Sequence, residues 1–145
     1  MNIRSIHEKE FTSFFIYCII NWVNDMCIFC KIVNGEIPSY TIYEDETVKC
    51  FLDINPDSNG HTLIIPKKHF TNLDDIDLET LNHIFEVAKV LKKRLEDKLN
   101  IDGLTLIQNN DDIQEVKHFH MHLKPYYNDS LLVDAENIYE ILKEA

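Results

Sequence analysis

Val116-Lys117-His118-Phe119-His120-Met121-His122-Leu123-Lys124 decides how this chain is read. Histidine alternates with Phe119, Met121 and Leu123. In a strand, successive side chains point to opposite faces, so the three histidines share one face and the apolar residues share the other. On a helix, a spacing of two would splay the rings about 200° apart, and no common site would form. The alternation predicts a strand over Val116–Lys124 with Phe119, Met121 and Leu123 in the core.

Working outward, the remaining elements suit a small mixed domain. Tyr40–Tyr43 and Val48–Asp53 are β-prone runs separated by Glu44-Asp45-Glu46, which predicts a hairpin. The turn Asn55-Pro56-Asp57-Ser58-Asn59-Gly60 follows, then a strand over His61–Pro66. Asp77 is a candidate N-cap for a long helix. Its expected apolar stripe is Leu78, Leu81, Ile84, Phe85, Ala88, Leu91 and Leu95, with Glu79, Lys92, Lys93 and Glu96 opposite and His83 on the surface. A fourth strand is expected over Leu104–Gln108, opened by Gly103. A short closing helix would turn Ile138, Ile141 and Leu142 inward. Short strands, tight turns and one long helix give the α+β class, with an antiparallel sheet of about five strands.

Composition narrows the function. The chain has 145 residues, 45% hydrophobic and 27% charged, enough for one domain with its own core. A net charge of −11 repels nucleic acid polymers and anionic membranes, yet leaves room for one phosphate ligand held by local donors. The apolar run Phe11–Val23 is shorter than the about 20 residues of a membrane span. It also lacks the basic start and small-residue cleavage site of a signal peptide. These features predict a cytoplasmic protein with reduced thiols. Residues 1–25 are an N-terminal extension of uncertain status: either an upstream start precedes a true start at Met26, or a short amphipathic helix packs on the body or a partner. Residues 26–145 form the expected domain.

Three imidazoles about 6.8 Å apart along one strand admit three readings. They are a solvated polar face, a three-histidine metal site with an open position, or a nucleophilic site. Neutral imidazole attacks phosphorus and makes a labile covalent intermediate, provided its other nitrogen gives its proton to a fixed acceptor. Cys27-x-x-Cys30 has zinc-ligand spacing, but one such pair alone leaves metal binding open.

His118-Phe-His120-Met-His122-Leu123 resembles the signature of the histidine triad family. Asn59-Gly-His-Thr-Leu-Ile-Ile-Pro-Lys-Lys-His69 resembles a second signature of that family. So do Cys27-Ile-Phe-Cys-Lys-Ile-Val-Asn-Gly-Glu-Ile-Pro38, Tyr43-Glu-Asp and Phe51-Leu-Asp-Ile54. The match runs from Met26 to about Pro125 and is nearest the Hint-like branch. The resemblance implies His120 as nucleophile on a nucleoside phosphoramidate or phosphoanhydride, through a nucleotidyl-histidine intermediate that water resolves. It implies His122 on the α-phosphate, Asp53 on the ribose hydroxyls, Ile54 against a purine base, Gln114 donating to a phosphate oxygen, and Asn109 framing the site. His61 would buttress His120. Cys27, Cys30, His69 and His118 would hold a structural zinc, with no organic cofactor. A homodimer is implied as well. The alternatives are a dinucleoside polyphosphate hydrolase, a nucleotide-binding protein with little turnover, and a zinc-binding interaction module.

One stretch departs from the family pattern. Many members carry a glycine-rich loop ending Gly-Gln-Ser or Gly-Gln-Thr before Val. Here Asn109-Asn-Asp-Asp-Ile-Gln-Glu-Val116 has no glycine. It is about two residues shorter, and loss of glycine limits how closely backbone N–H groups approach a phosphate. Ile113 stands for a glycine and Glu115 for the hydroxyl residue. A protonated Glu115 would suit a general acid; an ionised one would repel phosphate.

Overall fold

The computed structural model describes residues 27–129 and 131–143. The two readings of residues 1–25 lie outside the described residues. The elements are α1 (Ile28–Val33), β1 (Thr41–Glu44), β2 (Val48–Leu52), β3 (Thr62–Pro66), α2 (Leu78–Leu99), β4 (Gly103–Ile107), a 3-10 turn (Asp111–Ile113), β5 (Met121–Tyr126) and α3 (Ala135–Leu142). The five strands form one antiparallel sheet in the order β1-β2-β3-β5-β4. The expected α+β class therefore holds. No helix among the described residues is long and apolar enough to cross a membrane.

The sheet is covered on both faces. Ile64 of β3 packs with Cys50, Leu52, Met121 and Leu123 against Ile84, Val87, Leu91 and Leu95 of α2 and Ile138 and Leu142 of α3. Leu63 and Ile65 point the other way, onto Phe29 and Ile32 of α1. All five β3 residues are therefore buried, and the strand reads as a continuous apolar run rather than an alternating one.

Asp77 caps α2 as expected, accepting from the Thr80 N–H at 3.0 Å. The stripe needs correction. Leu78 and Phe85 are exposed, and Val87 takes the inward place. Leu78 and Phe85 lie about 90–110° around the helix from the centre of the line through Ile84, Ala88, Leu91 and Leu95. His83 is half-buried rather than superficial, because its Nε2 reaches Asp45 Oδ2 at 2.6 Å and ties α2 to the β1–β2 turn. In α3, Ile138 and Leu142 are buried, but Ile141 is exposed on the outer side. The helix α1 was not expected. Its N-cap is Cys27, whose sulfur accepts from Cys30 N–H, and six residues are too few for a periodic signal.

The histidine strand also begins later than its alternation suggests. The β3–β5 ladder ends at Ile64↔Met121 and the β4–β5 ladder at Ile107↔His122. His118 and His120 lie beyond both ladders. Phe119, between them, is fully buried in the core and its N–H donates to the Phe70 carbonyl at 2.7 Å. Core packing keeps the two-residue period where the ladder has stopped.

Candidate active site

His120 is buried at the floor of an open cavity of about 230 Å³. Its Nδ1 lies 2.7 Å from the His118 carbonyl. A carbonyl only accepts, so Nδ1 carries the proton and Nε2 keeps its lone pair. Burial above all lowers the basicity of His120 and keeps the ring neutral near pH 7. Phe29 of α1 stands edge-on to this ring, with centroids 5.1 Å apart at 82°.

The tautomer of His122 is fixed from a different direction. The Asp57 N–H donates to His61 Nδ1 at 3.1 Å. Neutral His61 therefore carries its proton on Nε2, which lies 2.9 Å from His122 Nδ1. His122 accepts there and must carry its own proton on Nε2. Burial, reinforced by His120, His61 and Lys124, pushes His122 down to about 4, so the ring donates as a neutral imidazole. His61 is thus placed against His122 and not, as expected, against His120. Asp53, His61 and His122 have ligand atoms within 4.8 Å of one another. The relay leaves neither His61 Nε2 nor His122 Nδ1 open to a cation.

Besides His120 and His122, the cavity is lined by Ile28, Phe29 and Ile32 of α1, by Ile37, Pro38 and Ser39 after it, by Phe51, Leu52, Asp53 and Ile54, by Leu63 of β3, and by Glu115 and Val116. Ile54 is 74% exposed, an apolar surface presented at the cavity's edge. The sequence reading missed Phe29 and the α1 wall. Their only signal is the Cys27-Ile-Phe-Cys30 pattern that anchors them.

Gln114 and Asn109 are not among the cavity-lining residues. Gln114 is 3% exposed and donates through Nε2 to the Thr71 carbonyl at 2.6 Å. The glycine-free loop is held by side chains instead. Asn110 accepts from the Leu73 N–H at 2.9 Å, and Asn72 donates to Asp111 at 3.2 Å. Asp111 takes the left-handed conformation at φ +58 without a glycine.

A second cluster includes His118, the first histidine of the row. Cys27, Cys30, His69 and His118 offer four ligand atoms within 4.8 Å of one another. His118 Nε2 donates to the Pro66 carbonyl at 2.8 Å, which turns the Nδ1 lone pair toward the other three. The N···N distance is 3.1 Å, and three S···N distances are 3.2, 3.5 and 3.6 Å. A tetrahedral zinc with two thiolates and two imidazoles requires edges of about 3.3 Å for N···N and about 3.5 Å for S···N. The residues fit the ion. Burial, with Cys27 beside it, pushes the Cys30 thiol up to about 12, and burial first pushes His118 down to about 4. Such a pocket holds soft neutral donors, and a bound cation would convert the thiols to thiolates.

Comparison with known proteins agrees with this geometry. The HIT domain family profile matches residues 34–129. A HIT-like protein of Methanocaldococcus jannaschii is 50% identical over 105 residues, covering 70% of this chain and 80% of the relative. The adenosine 5'-monophosphoramidase HNT1 of Saccharomyces cerevisiae is 46% identical over 101 residues, covering 68% of this chain and 61% of the relative. A zinc-bound histidine triad family protein from Mycobacterium smegmatis superposes with a TM-score of 0.77 at 34% identity, covering 83% of this chain and 92% of that one. On sequence and on fold, this chain belongs to the HIT domain family.

Proposed function

We propose that this protein is a nucleotide hydrolase acting on nucleoside phosphoramidates through a nucleotidyl-His120 intermediate. The observation that carries the reading is the bond from His120 Nδ1 to the His118 carbonyl, which leaves Nε2 unprotonated in a ring that lines the cavity. Nε2 attacks phosphorus, the P–N bond breaks, and the amine leaves with the bonding pair and takes up a proton. Water then attacks phosphorus. The P–Nε2 bond breaks, the water's proton is lost, and nucleoside monophosphate departs with neutral His120 restored. His122 Nε2–H donates to a phosphate oxygen, with its tautomer set by His61. Asp53 accepts from the vicinal ribose hydroxyls, and Ile54 covers a purine base. Gln114 acts as the anchor of the loop through Thr71.

The cavity favours this substrate over a dinucleoside polyphosphate. Among the described residues its charged lining is Asp53 and Glu115, with no lysine or arginine. Two carboxylates oppose a chain of anionic phosphates. A zinc ion on Cys27, Cys30, His69 and His118 completes the reading, tying α1 to the catalytic segment and leaving His120 and His122 for chemistry. The molecule is further read as a homodimer joined at its open sheet edge.

An assay with adenosine 5'-phosphoramidate tests the proposal. Wild type should release AMP and His120→Ala should not. Binding of AMP without turnover in wild type would make the protein a nucleotide-binding module, and faster cleavage of diadenosine tetraphosphate would overturn the substrate class.

A further inference from the structure

Glu115 is the carboxylate at this site that the nucleotide does not use. If Asp53 holds the ribose, Glu115 remains, exposed to solvent and lining the same cavity as His120 and His122. Its charge reaches the His120 ring, where it favours the imidazolium form. Among the described residues, no lysine or arginine shares that lining. Lys124 pairs with Asp57 at 2.5 Å, and Lys117 donates to the Asp111 carbonyl at 2.5 Å. Glu115 therefore acts on whatever group occupies the space beside the scissile bond, with Lys124 paired to Asp57 and Lys117 held toward the Asp111 carbonyl.

We infer that Glu115 is a specificity residue that selects phosphoramidates whose leaving amine bears a second, cationic group. The inference rests on the phosphoramidase reading above. An exposed carboxylate attracts an ammonium a few ångströms away and repels a second carboxylate, each by a modest screened amount. The contrast between a cationic and an anionic leaving group sums both effects.

Three adenosine 5'-phosphoramidates test it, with leaving amines derived from ethylenediamine, propylamine and β-alanine. Wild type should show higher kcat/KM for the ethylenediamine compound than for the β-alanine compound. That ratio should fall by about fivefold in Glu115→Gln and return in Glu115→Asp. Dividing the variant's ratio into that of wild type removes the intrinsic difference between the amines. The wild-type ratio should also shrink as salt is raised, since screening acts on charge and not on shape. A ratio equal in wild type and Glu115→Gln, or unmoved by salt, would overturn the role of Glu115 while the phosphoramidase reading stands. Failure of wild type to cleave any of the three would overturn that reading itself.

Discussion

Removing the metal from the cysteine–histidine cluster should destabilise the whole domain. The four ligands come from three distant parts of the chain. Cys27 and His118 are 91 residues apart, and Cys30 and His69 are 39 apart. A cross-link closing a loop of that larger size restricts the unfolded chain by roughly 4–5 kcal/mol. Domains of this kind are stable by only about 5–15 kcal/mol, so the ion would supply a large share. The corresponding loss in melting temperature is roughly 10–20 °C. Metal content by mass spectrometry should give one zinc per chain in wild type and none in Cys30→Ser. Thermal unfolding should show a drop in that range when wild type is stripped with a chelator. Cys30→Ser should show a similar drop, with no further change on chelation, because both perturbations remove the same cross-link. Activity should fall with it, since α1 carries Phe29 and the cavity wall. A wild-type protein without zinc, or one whose unfolding ignores the chelator, would refute the reasoning.

Three further outcomes follow from particular contacts. Burial depresses His120, and His122 stands at about 4, so both are neutral and competent above those values. The pH profile of kcat/KM should stay level down through 6.5 and fall only as pH drops below it; an acid limb at 6.5 or above would contradict this. Gly60 has φ +85, and a Cβ there would stand 2.7 Å from Leu99 Cδ1. Gly60→Ala should therefore cost roughly 2–3 kcal/mol in denaturant unfolding, and an unchanged midpoint would remove the constraint. Leu106 is 44% exposed on β4, which ends the sheet order. Leu106→Glu should convert a dimer to a monomer in sedimentation experiments, and a monomeric wild type would exclude that interface.

Much of this was legible in the residues, for reasons that differ from element to element. The hairpin of β1 and β2 and the Asp77 cap follow from local chemistry and lie where expected. The histidine alternation also held, because Phe119, Met121 and Leu123 are all buried in one core. The start of β5 was not legible, since a ladder ends where its neighbours end, and neither β3 nor β4 adjoins β5 in the chain. Phe85 misled because apolarity alone cannot tell a residue at the edge of a stripe from one at its centre. The cluster of Cys27, Cys30, His69 and His118 was visible only through family resemblance, since spacing reveals one pair and folding assembles the rest. Nothing in the segment around Gln114 reveals the Thr71 carbonyl to which its amide donates.

The central claim is that His120 Nε2 is the attacking atom. It is tested most directly by acid quenching wild type during turnover of adenosine 5'-phosphoramidate, followed by intact-protein and peptide mass spectrometry. The account predicts a transient adduct of one adenylyl group, located on His120 and absent from His120→Ala. Steady turnover with no adduct at any quench time, and undiminished in His120→Ala, would contradict it.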